Sequence, residues 1–124
     1  MAISVFLVED NPQIRANLIP ALQELGSASV IAVAEAEEEA INWLALHKGK
    51  WDLAVVDFFL KEGTGIGVVR WCDGRGANQR VVVLTNYPTQ ATRAAFKDAG
   101  ADLVFDKSTE LEAFFDYCLS RQPG

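Results

Sequence analysis

The sequence has 124 residues and a formal net charge of -6, and half of its residues are apolar. This length predicts a single domain, residues 1–124, and leaves no room for a second one, and the apolar fraction excludes a disordered chain. The acidic balance argues against nucleic acid and anionic membrane surfaces as partners.

The sequence gives no indication of export or of a zinc site. The first apolar run, Ile3 to Val8, lacks a basic leader, and no run approaches the ~20 apolar residues of a membrane span. Cys72 and Cys118 have no CxxC spacing, and His47 is the single histidine, so a zinc site cannot be assembled. We therefore expect a cytoplasmic protein with two thiols in or near its core.

Short apolar runs alternate with segments of helical spacing along the chain. The runs have the composition of strands in a buried parallel sheet, and the second is weaker and typical of a sheet edge. The five predicted strands cover residues 3–8, 30–34, 53–56, 81–84 and 103–105. The last of the intervening helical stripes is the clearest, with Leu111, Phe114 and Cys118 on one face.

Residues that favour helix ends occur at several of the predicted boundaries. Pro12 suits a first helical turn, and Gly26 and Gly100 occur where a left-handed residue ends a helix. The last helix is expected to begin with a capping box formed by Thr109 and Glu112.

Alternating strands and helices predict an α/β fold with helices on both faces of a parallel sheet. The expected architecture is a doubly wound five-stranded sheet of order 2-1-3-4-5, the flavodoxin-like (βα)5 arrangement. Ligand sites of such sheets lie beyond the carboxyl ends of the strands, where the strand order reverses. For this order, that point lies between the first and third strands.

Three carboxylates follow two strands that are neighbours in this order. Glu9 and Asp10 come directly after the first strand, and Asp57 directly after the third. Like charges at close range repel each other, and a hard divalent cation such as Mg²⁺ compensates them with carboxylate oxygens as ligands. Taken singly, each acid is better explained by the polarity of loops, but three acids on adjacent strand ends favour a metal site.

A hydroxyl and an ammonium are expected at the same edge of the sheet. Thr85 ends the fourth strand and Lys107 follows the fifth. Both are groups that bind the oxygens of a phosphoryl group on Asp57, whose carboxylate needs no general base at neutral pH. Phosphoryl transfer depends on positioning and charge neutralisation, and this set of groups supplies both.

Several motifs in chain order resemble the receiver domains of two-component response regulators, over essentially the whole chain. Each motif is weak by itself, and their order makes the resemblance specific. They are Val5-Phe6-Leu7-Val8-Glu9-Asp10-Asn11, Asp57 with Leu60 and Gly65, Leu84-Thr85, and Gly100-Ala101-Asp102 leading to Lys107.

The resemblance implies a role for each polar group at the strand ends. Asp10 is expected to bind Mg²⁺ directly and Glu9 through water, with Asp57 and the backbone carbonyl of Phe59 as further ligands. Asp57 is expected to receive a phosphoryl group from a sensor histidine kinase or a histidine phosphotransfer protein. Thr85 and Lys107 are expected to hold that group.

The expected output is a switched protein-interaction surface formed by residues 85–119, with a downstream protein target that the sequence does not identify. The chain is expected to catalyse only its own phosphorylation and dephosphorylation. A phosphatase of the haloacid type would need a second acid at position 59, where Phe59 stands. The remaining alternative is a receiver-like interaction module that is not regulated by phosphorylation.

The sequence departs from the family pattern at positions around the expected site. Asn86 replaces the small residue that usually follows the threonine, and Ser108 replaces the proline that often follows the lysine. Val104 stands where the family usually has an aromatic ring that moves with Thr85. Phe105 is expected to face the opposite side of the sheet, so that it does not replace this ring.

Two aromatic residues lie two positions beyond the key strand ends. Phe59 follows Asp57, and Tyr87 follows Thr85. One hypothesis is that their rings hinder attack by water and prolong the life of the phosphoryl group. The equally weighted alternative is that they cover loop backbone.

Overall fold

A computed structural model of the protein describes residues 2–86 and 89–121, which contain a regular alternation of strands and helices. The strands are β1 (Ile3–Val8), β2 (Ala28–Ala34), β3 (Leu53–Asp57), β4 (Arg80–Thr85) and β5 (Leu103–Asp106). The α-helices are α1 (Pro12–Leu25), α2 (Glu37–Leu46), α3 (Gly65–Trp71), α4 (Gln90–Ala99) and α5 (Leu111–Ser120), and a 3-10 turn at Cys72–Gly74 follows α3.

The strands form one parallel sheet in the order β2-β1-β3-β4-β5, which confirms the predicted flavodoxin-like topology. β1 and β3 are neighbours, with Val8 opposite Val56. β3 in turn pairs with β4, where Asp57 lies opposite Leu84. The strand order reverses between β1 and β3, so their carboxyl ends open a crevice beyond the sheet.

Alternate residues of the central strands pack into two separate hydrophobic cores. On β1, Val5 and Leu7 pack with residues of α1 and α5, whereas Phe6 and Val8 pack with residues of α2, α3 and α4. Because side chains alternate across a strand, the sheet is covered by helices on both faces. The two cores hold the strand ends in fixed positions beneath the crevice.

The start of α1 and the end of α4 agree with the sequence-based expectations. The side chain of Asn11 accepts hydrogen bonds from the amides of Gln13 and Ile14, at 2.9 and 3.2 Å, and Pro12 is the first helical residue. Gly100 ends α4 in the left-handed conformation, with φ of 112°.

Two predicted helix ends are wrong. Gly26 has a φ of -107° and is not left-handed, and the next residue, Ser27, has the positive φ instead. A Cβ atom at Gly26 would lie 3.1 Å from Cβ of Cys118, so this glycine serves close packing of α1 on α5. The expected capping box at Thr109 is absent, because α5 begins at Leu111 with Glu110 as its N-cap residue. A capping box formed by Thr109 requires a helix that begins one residue earlier.

β1 has the predicted bounds, and the other four strands are longer than the predicted apolar runs. β2 begins two residues earlier than expected, and β3 and β5 each extend to an aspartate, Asp57 and Asp106. Within the described part of the chain, no helix combines the length and apolarity needed to cross a bilayer.

Candidate functional site

The three predicted carboxylates converge at the carboxyl ends of β1 and β3. Glu9 and Asp10 directly follow β1, and Asp57 is the last residue of β3. One carboxylate oxygen of each residue lies within 4.8 Å of the others. Since β1 and β3 are adjacent, this convergence follows from the strand order and not from a local sequence motif.

Lys107 brings a positive charge into the middle of this cluster. Its Nζ atom lies 2.6 Å from Oε1 of Glu9 and 3.2 Å from Oδ2 of Asp57. The side chains of Glu9, Lys107 and Asp57 are 2%, 10% and 13% exposed, so the ion pairs are largely shielded from water. The backbone amide of Lys107 donates to the carbonyl of Thr85 at 2.9 Å, which ties the lysine to the end of β4.

The burial of the cluster disfavours its negative charge. Desolvation raises the pKa of Asp57 to about 6, while the nearby ammonium of Lys107 acts in the opposite direction and Glu9 adds to the rise. The pKa of Asp10 is also raised, by desolvation first and then by the charge of Glu9. Three carboxylates therefore share one ammonium, and the site retains an excess of negative charge that favours a further cation.

The donor set suits a hard divalent cation. Mg²⁺ prefers carboxylate and carbonyl oxygens with several waters, and the three acids provide oxygen atoms at a spacing that one ion can bridge. Asp10 is partly exposed, so the cluster opens to solvent on one side, where water ligands have access.

The orientation of Asp57 is set by the backbone that follows it. Its Oδ1 atom accepts a hydrogen bond from the amide of Phe58 at 2.8 Å, and the carbonyl of Phe58 accepts from the amide of Gly65 at 2.9 Å. A Cβ atom at Gly65 would overlap the carbonyl oxygen of Asp57. Glycine is thus required where α3 approaches the end of β3.

Glu9 is held by contacts that the sequence analysis did not identify. Its amide donates to the carbonyl of Ala34 at 2.9 Å, and its carbonyl accepts from Nη1 of Arg15 at 2.8 Å. Nη2 of Arg15 also lies 3.4 Å from Glu35. A basic residue one turn into α1 was the only sequence signal for this link, and it could not be distinguished from an exposed surface charge.

The other predicted site residues lie at the end of β4 or directly after it. Thr85 is buried and ends β4, one residue beyond the position paired with Asp57. Asn86 is exposed and lines a cavity between α1 and α5 that Lys107 also lines. Tyr87 lies outside the described residues.

The aromatic positions confirm one expectation from the strand pattern. Val104 belongs to the core on the α4 side of the sheet, whereas Phe105 belongs to the opposite core and packs against Phe114 with a centroid separation of 5.7 Å. Phe105 therefore does not replace the ring missing at Val104. Phe59 is 58% exposed, and its ring stacks on that of Phe58 at 4.6 Å.

The chain is similar to known proteins in both sequence and structure. Residues 5–118 match the family described as the response regulator receiver domain. The receiver domain of the putative response regulator NarL from Mycobacterium tuberculosis is 22% identical, with a TM-score of 0.79 over 94% of this chain and 96% of that chain. The response regulator domain of Thermotoga maritima CheB is 19% identical, with a TM-score of 0.78 over 99% and 100%.

A further structure is that of a response regulator from Burkholderia pseudomallei with a phosphorylated aspartic acid, a calcium ion and citrate. It is 25% identical, with a TM-score of 0.75 over 90% of this chain and 64% of that chain. No curated protein is significantly similar in sequence. The family match spans nearly the whole chain and agrees with the five-stranded fold and the acidic pocket at its edge, so this protein belongs to the response regulator receiver domain family.

Proposed function

We propose that this protein accepts a phosphoryl group on Asp57 and thereby switches a protein-interaction surface. The observation that carries the proposal is the position of Asp57, whose Oδ2 atom lies 3.2 Å from Lys107 while Glu9 and Asp10 lie within metal-bridging distance. The proposed donor is a sensor histidine kinase or a histidine phosphotransfer protein in the cytoplasm.

The proposed reaction is a direct transfer to a carboxylate. The bond between phosphorus and the donor histidine nitrogen breaks as a bond forms between phosphorus and a carboxylate oxygen of Asp57. The histidine leaves with the bonding electron pair and takes up a proton. Because the burial of Asp57 raises its pKa only to about 6, the carboxylate is mostly ionised at neutral pH and is ready to attack.

A bound Mg²⁺ would neutralise charge on the transferring phosphoryl group and on the acids around it. We propose Glu9, Asp10, Asp57 and the backbone carbonyl of Phe59 as the residues that hold it, with Glu9 contributing through water. The acidic cluster supports three of these ligands. The structure of the Burkholderia response regulator contains both a phosphorylated aspartic acid and a divalent cation, calcium, and this supports the proposal.

Thr85 and Lys107 are proposed to bind the phosphoryl oxygens. Switching a two-state domain from mostly off to mostly on requires about 5.5 kcal/mol of differential binding, whereas one charge-assisted hydrogen bond contributes only about 1.5–3 kcal/mol. Thr85, Lys107 and the cation must therefore act together. The backbone hydrogen bond from Lys107 to Thr85 supports such coupling because it joins the two residues directly.

The proposed output surface, which would bind a downstream protein target, is formed by α4, β5 and α5. Arg93 on α4 donates to the carbonyl of Val104 at 2.8 Å and to Glu110 at 2.9 Å, just before α5. Arg93 thus connects α4 with β5 and with the start of α5. This connection does not need the aromatic ring that the family usually has at the position of Val104. A displacement of Thr85 and Lys107 would therefore reach the whole surface through β5.

Intact mass spectrometry after incubation with a small phosphodonor and Mg²⁺ tests the proposal. We expect the wild-type protein to gain one phosphoryl group and Asp57→Asn to gain none. Asp106→Asn, which changes the aspartate at the end of β5, is the matched control and is expected to gain the group. An unmodified wild-type protein would instead favour an interaction module that is not regulated by phosphorylation.

A further inference from the structure

The loop between β3 and α3 carries the backbone that leads away from Asp57. The loop is closed by the hydrogen bond from the amide of Gly65 to the carbonyl of Phe58 and by an antiparallel bridge between Phe59 and Thr64. The position of the Phe59 backbone therefore depends on the position of Thr64, on the opposite side of the loop.

Glu37, the first residue of α2, forms hydrogen bonds with this loop. Its Oε1 atom accepts a hydrogen bond from the backbone amide of Thr64 at 2.8 Å. Its own amide donates to the carbonyl of Glu62 at 2.9 Å, and the amide of Lys61 donates to the carbonyl of Glu35 at 3.1 Å. Three hydrogen bonds thus connect the start of α2 to the loop, and one of them uses a charged side chain.

Two glycines make room for the Glu37 side chain. A Cβ atom at Gly63 or at Gly67 would overlap atoms of Glu37. Gly63 also has a backbone φ of 79°, a value that residues other than glycine rarely adopt. The Glu37 carboxylate thus fills the space beside Gly63 and Gly67, whereas the carbonyl of Asp57 fills the space beside Gly65.

The contact differs from ordinary capping of α3. Thr64 is the N-cap residue of α3, yet its side chain makes no capping hydrogen bond. The acceptor comes instead from α2, 27 residues earlier in the sequence. A bond supplied from another element fixes the loop relative to the rest of the fold, whereas a local cap would fix only the helix.

We infer that Glu37 is a positioning residue for the metal and phosphoryl site, acting through Thr64 on the backbone of Phe59. This inference rests on the proposed function, in which the Phe59 carbonyl is a metal ligand. Loss of the Glu37 contact leaves the carboxylates of Glu9, Asp10 and Asp57 in place and releases the one ligand that belongs to the loop. Metal binding is then weakened but not abolished.

Calorimetric titration with Mg²⁺ alone, without a phosphodonor, tests this role. We expect Glu37→Ala to weaken Mg²⁺ binding about tenfold, because the carbonyl of Phe59 is no longer held in place. Glu37→Gln retains an acceptor oxygen for the Thr64 amide, and its affinity is expected to stay close to that of the wild type. Glu38→Ala removes the same charge from an exposed neighbour on α2 and is expected to have no effect.

Gly67→Ala provides an independent test because it displaces the Glu37 carboxylate without changing it. Alanine is the better helix former, so this variant is expected to fold even if Glu37→Ala does not. We expect the same loss of Mg²⁺ affinity as for Glu37→Ala. The double variant is expected to be no weaker than either single variant, because the new methyl group fills the space that Glu37 has left.

The amide resonance of Thr64 gives a readout that needs no metal. It is expected to shift in Glu37→Ala and Gly67→Ala but not in Glu38→Ala. Wild-type Mg²⁺ affinity in both folded variants, Glu37→Ala and Gly67→Ala, would overturn the inference and leave the proposed function intact. A wild-type protein that neither binds Mg²⁺ nor gains a phosphoryl group would overturn the proposed function itself.

Discussion

The two ends of the sheet both carry buried polar groups, but they differ in how far the charges of these groups are balanced. At the amino-terminal edge, Asp102 accepts from the amide of Val81 at 2.7 Å and from Arg75 at 2.9 Å. Gln79 is 8% exposed and uses both ends of its amide, on the carbonyl of Trp51 and the amide of Gly76. At the carboxyl-terminal edge, three carboxylates converge around one ammonium.

This contrast separates groups that stabilise the fold from groups that are available for chemistry. Arg75 also donates to the carbonyls of Cys72 and Gly100, at 3.0 and 2.8 Å, so that one guanidinium joins the α3–β4 and α4–β5 connections. Lys107, by contrast, compensates only part of the charge that surrounds it. Excess charge, more than polarity or burial, distinguishes the carboxyl-terminal edge, the proposed reactive site, from the amino-terminal edge.

The largest expected effect concerns the closed packing at the amino-terminal edge. Burial raises the pKa of Cys72 to about 11 and that of Cys118 to about 12. Since the thiolate is the reactive form, alkylation at about pH 8 should be at least ~100-fold slower in the native protein than in the unfolded protein, and should rise about tenfold per pH unit. The charge of Arg75 lowers the pKa of Cys72, so its loss alone would slow the reaction. Arg75→Ala is nevertheless expected to accelerate the alkylation of Cys72, and not that of Cys118, because the lost bonds to the carbonyls of Cys72 and Gly100 open this edge to the reagent. Equal acceleration of both thiols would mean that Arg75→Ala destabilises the whole fold and not only the packing around Cys72.

A matched pair of aspartate substitutions should affect stability in different ways. Asp102→Asn weakens two charge-assisted hydrogen bonds and is expected to lower the free energy of unfolding by about 2 kcal/mol. Asp57→Asn removes a desolvated charge next to Glu9, which keeps Lys107 as its partner at 2.6 Å. The free energy of unfolding of Asp57→Asn in Mg²⁺-free buffer is therefore expected to equal or exceed that of the wild type. Urea unfolding measures both, and an equal loss in the two variants would remove the distinction between the edges.

Lys107→Ala should alter metal binding in the opposite direction from Glu37→Ala. The ammonium of Lys107 lies between Glu9 and Asp57 and competes with any other cation for these oxygens. Its removal is expected to tighten Mg²⁺ binding about tenfold while it slows phosphorylation, because the phosphoryl oxygens lose a charged donor. Calorimetric titration checks the affinity, and Arg75→Ala, which removes a cation from the other edge, should leave the affinity unchanged. Weaker Mg²⁺ binding by Lys107→Ala would contradict this competition.

The smallest expected effect concerns the ring of Phe59. The ring is largely exposed and stacks on that of Phe58, and Phe59 follows Asp57 by two residues. We propose that it hinders the approach of water to a phosphoryl group on Asp57. Phe59→Asn is expected to accelerate loss of the phosphoryl group about threefold, an effect of less than 1 kcal/mol on the barrier. Trp71→Leu, which removes a ring near the other edge, should not change the phosphoryl half-life. An unchanged half-life in Phe59→Asn would refute the shielding role.

Much of the architecture was predictable, because the apolar pattern locates the strands and helices and their alternation leaves few possible arrangements of a parallel sheet. Once five strands alternate with five helices, the strand order brings Glu9 and Asp57 to one crevice. The helix ends were less predictable. Tertiary packing of Gly26 against Cys118 outweighed the preference of glycine for a left-handed stop, and the bond from the amide of Asp106 to Glu110 accompanies a later start of α5.

The contacts that hold the site in place were not predictable from the sequence. Arg15 and Glu37 are ordinary charged helix residues in the sequence, and their partners are backbone groups of other elements. The glycines at 63 and 67 were visible, but their purpose depends on the position of a helix that begins far earlier in the chain. Long-range contacts of this kind appear only when the elements are assembled.

The most direct test of the account locates the phosphoryl group on the chain. Borohydride reduces an acyl phosphate to the alcohol, so treatment of the phosphorylated protein should convert Asp57 to homoserine, which peptide mass spectrometry identifies. We predict homoserine at position 57 and unchanged aspartate at positions 10, 102 and 106. Homoserine at any of those other positions, or a stable phosphoryl group on a hydroxyl side chain, would contradict the assignment of Asp57 as the phosphoryl acceptor.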